Sequence, residues 1–209
     1  MLAALALAAL AASRPAPLAD AVEHYRTVES YRVTLHTVRP DGEEHLRYYY
    51  RKPGFVRIEF VRPHAGAVLV YSPLTRRVRL WPFGVGRFPE LDLSPRNPLV
   101  RGVGGQTVDR SDVGALFEHV GALLEAGHAE APDETSVDAR PALRLVVSGA
   151  PGQTIAGVHQ YELWLDPATR FPLRVISRDP AGAVIETVTF DALEIDVPLA
   201  HTLFDPPHD

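Results

Sequence analysis

Four short apolar segments within residues 47–84 constrain the fold of this chain more than any other feature. The stretch reads RYYYRKPGFVRIEFVRPHAGAVLVYSPLTRRVRLWPFG, and proline and glycine separate each apolar segment from the next. In the second segment Val56, Ile58 and Phe60 alternate with Arg57 and Glu59, which gives one apolar face and one solvated face. The stretch therefore predicts an antiparallel meander with strands at residues 48–50, 55–61, 67–71 and 78–81.

A hairpin is predicted immediately before this meander. Residues 31–38 and 44–51 flank the sequence PDGE, and an Asp-Gly pair is a strong signal for a two-residue hairpin loop. With Asp41 and Gly42 as the loop, Val33 pairs with Tyr50 and the two faces separate cleanly. The apolar face then carries Val33, Leu35, Thr37, Leu46, Tyr48 and Tyr50, and the solvated face carries Arg32, Thr34, His36, His45, Arg47, Tyr49 and Arg51.

The pattern of short strands resumes in the C-terminal third of the chain. Turn sequences such as Asp-Pro-Ala separate apolar segments at residues 143–148, 158–165, 172–177 and 183–195, which we predict to be strands. Residues 197–206 are expected to form a short edge segment anchored by Leu203 and Phe204. Residues 82–106 are rich in proline and glycine and show no periodicity, so they predict a long surface excursion.

Two amphipathic helices are predicted. Asp20 followed by Glu23 forms a capping pattern that starts a first helix over residues 21–30. A second helix is expected to begin after a capping Ser111 and to end at Gly127. Its apolar stripe must be buried against the concave or open face of the sheet, and it consists of Val113, Leu116, Phe117, Val120, Leu123 and Leu124.

Length and charge limit what the chain does. With 209 residues, 46% of them hydrophobic, it is long enough for one sizeable core and short for two. Its net charge is −5 and no basic cluster interleaves with aromatic residues, so nucleic acid is not an expected partner. Residues 1–12 are almost entirely Leu and Ala, which suits the apolar core of a secretory signal. We therefore expect residues 1–19 to be a leader and residues 20–209 to be an exported, soluble domain.

The sequence offers no motif for catalysis. It contains no Gly-x-Ser-x-Gly, no His-Glu-x-x-His and no cysteine, and its nine histidines are scattered. His36 and His45 are expected to approach each other diagonally on the outer face of the first hairpin, but two imidazoles without a third ligand do not make a metal site. We therefore expect neither enzymatic activity nor a metal or other cofactor.

From Asp20 to the C-terminus, the order of these elements resembles the LolA/LolB-type lipoprotein carriers and their RseB-like relatives. The resemblance rests on an early strand that ends in Lys52-Pro53-Gly54, on the segments FVRIEF and VLVY, and on a strand that ends in an aromatic residue. The later segments YELWLDPATRFPLRV and FDALEIDVPLAHTLFDP are similar to the family's C-terminal half. The resemblance implies a mainly β, α+β fold, in which a helical lid closes an incomplete, twisted antiparallel half-barrel around an apolar cavity.

The resemblance also implies a function. In the family the cavity shelters the acyl chains of a lipoprotein or another lipid, so this chain is expected to be a periplasmic, non-enzymatic carrier that delivers them toward the outer membrane. The implied partners are the acylated lipoprotein or lipid, an inner-membrane donor complex and an outer-membrane acceptor, and the carrier is expected to be a monomer. The alternative is an RseB-like sensing or protein-interaction module built on the same half-barrel.

Strand alternation and the helix stripe give the candidate site residues. The predicted cavity residues are Phe55, Val56, Ile58, Phe60, Leu69, Val78, Leu80, Tyr161, Leu163 and Leu165, and the predicted lid residues are Leu116, Phe117, Val120 and Leu124. In the family a basic residue before the early proline bonds lid-loop carbonyls and latches the empty form. The matching residue is Lys52, with Arg51 beside it, but lysine lacks the planar fork of arginine. Solvation of the sheet end is the alternative role for both.

Overall fold

The computed structural model describes residues 16–102 and 105–206, which form one antiparallel sheet with two α-helices against it. The helices are α1 (Ala16–Thr27) and α2 (Val113–Leu124), and short 3-10 helices occupy Pro98–Val100, Val108–Arg110 and His201–Leu203. The strands are β1 (Ser30–Arg39), β2 (Gly42–Arg51), β3 (Phe55–Arg62), β4 (Val68–Ser72), β5 (Arg77–Trp81), β6 (Leu91–Leu93), β7 (His128–Ala129), β8 (Asp133–Val137), β9 (Arg140–Ser148), β10 (Gln160–Leu165), β11 (Pro172–Arg178) and β12 (Val184–Ile195). Most of the predicted leader, residues 1–15, lies outside the described residues, and the boundary at residue 19 stays a prediction.

The sheet is open and has β1 near its middle. Its 12 strands run in the order β6-β5-β4-β3-β2-β1-β12-β11-β10-β9-β7, and β8 pairs with β9 beside β7. Within the described residues the two end strands do not pair with each other, so the sheet stays an incomplete barrel. The predicted α+β half-barrel is therefore confirmed.

Both helices pack on one face of this sheet, which we call the inner face. Leu18 of α1 and Phe117 of α2 share a buried cluster with Tyr31 of β1 and Tyr48 of β2. A smaller cluster covers the opposite, outer face of β3–β5, and it contains Phe55, Val68, Val70, Trp81 and Phe204. The apolar cluster on the inner face is larger than the cluster on the outer face. The helices and the sheet enclose space on the inner side.

The register of the first hairpin differs from the prediction by two residues. Leu35 pairs with Leu46, and Arg39 pairs with Gly42, so the loop is Pro40-Asp41 instead of Asp41-Gly42. Proline fixes φ near −65°, which suits the first central position of a turn, and this preference outweighs the Asp-Gly signal. Because the shift is an even number of residues, every side chain keeps its predicted face.

Helix boundaries also differ from the prediction. Helix α1 spans Ala16–Thr27 instead of residues 21–30, because Leu18 is fully buried in the core while Ser30 already belongs to β1. The residue that caps α2 is Asp112 and not Ser111, since the Asp112 carboxylate accepts hydrogen bonds from the backbone N–H groups of Gly114 at 2.7 Å and Ala115 at 3.2 Å.

The closing segment, predicted as a short edge segment anchored by Leu203 and Phe204, packs both residues on the outer face but forms no strand. Phe204 is buried 5.9 Å from the Phe55 ring, and the carbonyl of Leu203 accepts a hydrogen bond from the Arg57 guanidinium at 3.0 Å. Pro198 and Pro206 lack the N–H that a strand needs, so the segment crosses the outer face without pairing. No sequence pattern indicated β7 and β8, or β6, which lies inside the predicted surface excursion.

Candidate functional site

A cavity of about 430 Å³ lies between the inner face of the sheet, the helix α2 and the loop segments at residues 99–102 and 106–111. This volume falls within the range of roughly 300–1,000 Å³ that is typical of ligand pockets. The lining is mainly apolar, with polar groups near its ends. Strand residues on the wall include Tyr31, Val33, Leu35, Leu46, Tyr48, Val175, Val188 and Phe190.

The predicted cavity residues separate into three groups. Those on the cavity wall are Ile58, Phe60, Leu69, Leu80 and Tyr161. Those buried in the core on the inner face, without lining the cavity, are Val56, Val78, Leu163 and Leu165. Phe55 lies on the outer face against Phe204, because neighbouring residues of a strand point to opposite faces and Val56 points inward.

The predicted lid residues are divided in the same way. Leu116 lines the cavity, together with Val113 and His119 of the same helix. Phe117, Val120 and Leu124 are buried in the core, and the Phe117 ring meets Tyr25 of α1 edge-on at 6.3 Å. One side of α2 is therefore a cavity wall, and the other side attaches the helix to the rest of the molecule.

Three tyrosines hold the start of α2, and sequence reasoning missed them. The Tyr25 hydroxyl donates to the Asp112 carboxylate at 2.7 Å, and the Tyr31 hydroxyl accepts from the Val113 N–H at 3.2 Å. The Tyr48 hydroxyl lies 2.9 Å from the hydroxyl of Ser111. We call Tyr25, Tyr31 and Tyr48 the tyrosine anchor. The sequence signals were the placement of Tyr48 on the apolar face of the hairpin and of Tyr25 on the apolar face of the first helix, where a hydroxyl needs a partner.

Ring contacts pack the tyrosine anchor against its neighbours. Tyr31 stacks on Tyr48 with ring centroids 5.9 Å apart, and on Tyr50 at 5.1 Å. Burial raises the pKa of Tyr25, and the nearby Asp112 carboxylate raises it further. Burial likewise raises the pKa of Tyr31 and Tyr48. All three hydroxyls therefore stay protonated at neutral pH.

A prediction follows for alkaline solution. Burial raises the pKa of all seven tyrosines above the ordinary value of 10.0. Because the unfolded chain releases these protons first, the free energy of unfolding is expected to be insensitive to tyrosine titration below about pH 10 and to fall above it. We expect phenolate absorbance to appear together with the loss of far-ultraviolet circular dichroism. Reversible titration of all tyrosines near pH 10 in a protein with native circular dichroism would contradict this account.

The two residues at the predicted latch position bind elsewhere. The Lys52 ammonium donates to the backbone carbonyl of Arg26 at 2.7 Å and to the Glu29 carboxylate at 3.0 Å, so it ties down the C-terminal end of α1. The Arg51 guanidinium lies between the rings of Phe55 and Phe204, 4.8 Å from each centroid. Neither contact reaches the loop segments at residues 99–102 and 105–111.

One end of the cavity is polar. Arg39 of β1 lies 3.1 Å from the Glu186 carboxylate and 3.8 Å from that of Glu44, and all three side chains are largely buried. Thr37 completes this end of the wall. A mostly apolar pocket with a few convergent polar groups is typical of sites that orient an amphipathic ligand.

None of the helices within residues 16–102 and 105–206 is both long and apolar enough to cross a lipid bilayer.

Comparison with known proteins identifies the fold. No protein-family model and no curated protein matches this sequence. Among solved structures, an uncharacterized conserved protein from Thermus thermophilus is similar, with a TM-score of 0.57 and 16% identity over 91% of this chain and 92% of that chain. The Mycobacterium tuberculosis lipoprotein LppX has a TM-score of 0.53 and 11% identity over 90% of this chain and 99% of that chain.

A third similar structure is the MucA/MucB complex of Pseudomonas aeruginosa. It matches with a TM-score of 0.55 and 17% identity over 88% of this chain, and the match spans 60% of that chain. At these identities the similarity establishes a shared fold. The fold that the resemblance to the LolA/LolB-like superfamily implied is therefore confirmed.

Proposed function

We propose that this chain, which shares its fold with LppX and MucB, is an exported, non-enzymatic carrier that shelters an acyl chain of a lipoprotein or lipid and delivers it toward the outer membrane. The observation that carries the proposal is the cavity of about 430 Å³ with a mainly apolar wall. Each methylene that enters such a cavity gains about 0.8 kcal/mol from its removal from water. An acyl chain is therefore a ligand that the cavity holds without any catalytic group.

The polar end of the cavity gives the ligand an orientation. Arg39, Glu44 and Glu186 stand at one end of the apolar wall, so the polar group of an amphipathic ligand would lie there and its acyl chain would extend along Leu35 and Leu69. This arrangement avoids leaving the ligand's own polar group buried without partners.

Release of the ligand requires a movable wall, and we assign this role to α2. Leu116 would contact the acyl chain, while Phe117, Val120 and Leu124 hold the helix against the core. The tyrosine anchor holds the start of α2, so opening would require its hydrogen bonds to Ser111, Asp112 and Val113 to break. In this scheme Lys52 and Arg51 stabilise the sheet end and α1, and Asp112 with the tyrosine anchor replaces the family's latch.

The second candidate function is a periplasmic protein-interaction module of the RseB type. The observation in its favour is the shared fold with MucB, which has been solved together with MucA. In that case the inner face would bind a segment of a protein, and the cavity would not take up free acyl ligands.

The test is the binding of a palmitoyl ligand, measured by displacement of an environment-sensitive fluorophore from the purified protein. Leu35 is half-buried in the middle of the cavity wall, so Leu35→Trp would fill part of the cavity. If the larger side chain excludes only two methylenes, the loss is about 1.6 kcal/mol, or more than tenfold in Kd. We expect at least this loss in Leu35→Trp.

The matched control is Leu74→Trp, which makes the same change at a turn residue that is 78% exposed and away from the cavity. This control is expected to bind palmitoyl ligand like the wild type. Equal affinity in Leu35→Trp and in the control would exclude this cavity as the acyl site. Failure of the wild-type protein to bind any acyl ligand would favour the interaction module.

A further inference from the structure

We infer that His36, Glu43 and His45 form a binding site for a divalent transition-metal ion, of the Zn²⁺, Ni²⁺ or Cu²⁺ class, on the outer face of the β1–β2 hairpin. One ligand atom from each residue lies within 4.8 Å of the other two. The site is on the face of the sheet opposite the cavity, so it is independent of the proposed carrier function.

The register of the hairpin assembles this cluster. His36 pairs directly with His45, whereas the predicted register had placed them diagonally. Their rings face each other with centroids 3.9 Å apart and an interplanar angle of 30°. Glu43 lies two residues before His45 on β2 and therefore points to the same face, which supplies the third ligand that the two imidazoles lacked.

The distances suit coordination. The His36 Nε2 atom lies 3.5 Å from the Glu43 carboxylate oxygen. Ligands at about 2.0–2.2 Å from a tetrahedral Zn²⁺ stand roughly 3.3–3.5 Å from each other, so this pair is already spaced for a shared ion. The Glu43 side chain is 59% exposed and free to adjust, while the histidines stand on two adjacent strands inside the sheet.

The His36 ring has an unused ligand atom. Its Nε2 is buried and has no hydrogen-bond partner among the described residues. A buried polar atom without a partner is unfavourable, and a bound metal ion would satisfy it. Imidazole nitrogen together with one carboxylate is a donor set that suits Zn²⁺, Ni²⁺ and Cu²⁺ better than Mg²⁺ or Ca²⁺.

Arg62 of β3 is the group that competes with the metal ion. Its guanidinium lies 2.8 Å from the Nε2 of His45. Since arginine has only donors, His45 accepts at this nitrogen and is neutral, as a metal ligand must be. Arg62 is exposed and can swing away when an ion binds.

The test is isothermal titration of the untagged, metal-stripped protein with ZnCl₂ and separately with NiCl₂. We expect one saturable site with a micromolar Kd, and a rise in Tm with added metal. Loss of an outer-shell partner alone weakens metal sites about 10–100-fold, so His36→Asn and Glu43→Gln are each expected to weaken binding by at least about tenfold. Arg62→Gln is expected to bind the ion more tightly than the wild type.

The matched control is His201→Asn, which removes an exposed histidine from the 3-10 helix His201–Leu203 and is expected to leave binding unchanged. Glu43 is exposed on an outer face, so Glu43→Gln keeps the fold, and circular dichroism verifies this. The inference is overturned if the wild type shows no saturable binding, or if Glu43→Gln and His36→Asn bind like the control.

Discussion

Asp112→Ala is expected to lower the free energy of unfolding by about 2–4 kcal/mol, because the change removes the α2 cap and leaves the Tyr25 hydroxyl without its acceptor. The Asp112 carboxylate accepts from the Tyr25 hydroxyl at 2.7 Å and from the backbone N–H groups of Gly114 and Ala115. Urea unfolding followed by circular dichroism measures the change. The loss is large against a typical domain stability of roughly 5–15 kcal/mol.

Two companion variants distinguish the loss of the helix cap from the loss of a negative charge. Asp112→Asn keeps an oxygen that can cap the helix, so it is expected to recover most of the lost stability. Asp109→Ala removes a nearby exposed carboxylate and is expected to change stability by less than about 0.5 kcal/mol. If Asp112→Ala unfolds at the same urea concentration as Asp109→Ala, the tyrosine anchor does not hold α2.

Glutamate at two adjacent positions of α2 is expected to give opposite results. Phe117 is 3% exposed in the core beside Tyr25, so Phe117→Glu loses about 3–5 kcal/mol of ring packing and also buries a charge. We expect this variant to lack a cooperative unfolding transition at neutral pH. Leu116 is half-buried on the cavity wall, so Leu116→Glu is expected to fold and to lose palmitoyl binding.

The two variants are compared by circular dichroism and by fluorophore displacement. Each introduces the same residue into the same helix, so the change in net charge is matched. A folded Phe117→Glu variant would show that this side of α2 is not attached to the core. A Leu116→Glu variant that still binds palmitoyl ligand would remove α2 from the cavity wall.

The sequence was sufficient to predict the faces of the strands but insufficient to predict their partners. Alternation placed Val33, Leu46 and Tyr48 on the apolar face of the hairpin, and all three are buried there. Strand β1 lies near the middle of the sheet because it pairs with β12, which comes more than 140 residues later in the chain. No local pattern encodes such a contact, so the sequence did not indicate that the first hairpin forms much of the cavity wall.

Local signals failed where two of them competed. At residues 40–43 the Asp-Gly signal and the turn preference of Pro40 point to different loops, and the proline prevails. At the start of α2, Ser111 and Asp112 are both good caps, and the hydrogen bond from Tyr25 to Asp112 is a tertiary contact that favours the second. In both places a shift of one or two residues changed a candidate site. The new hairpin register brought His36 opposite His45. The later start of α2 joined Asp112 to the tyrosine anchor.

Residue type alone could not distinguish the residues that line the cavity from those that are buried in the core. Val56 and Val78 share the inner face with Ile58 and Leu80, yet only the second pair lines the cavity. The difference depends on where α1 and α2 cover the sheet, which is set by the tyrosine anchor and by Leu18. Some wall positions, such as Leu35 and Leu116, are half-buried, and exposure of this kind is visible only in the folded chain.

The central claim is that the cavity holds an acyl chain, and native mass spectrometry of the protein recovered from a bacterial periplasm tests it most directly. The carrier account predicts discrete mass additions that match a lipid or an acylated peptide, and their return when a delipidated sample is offered acylated peptide. Leu35→Trp is expected to lose these additions, and Leu74→Trp is expected to keep them. A bare wild-type protein that refuses every acyl ligand would contradict the account.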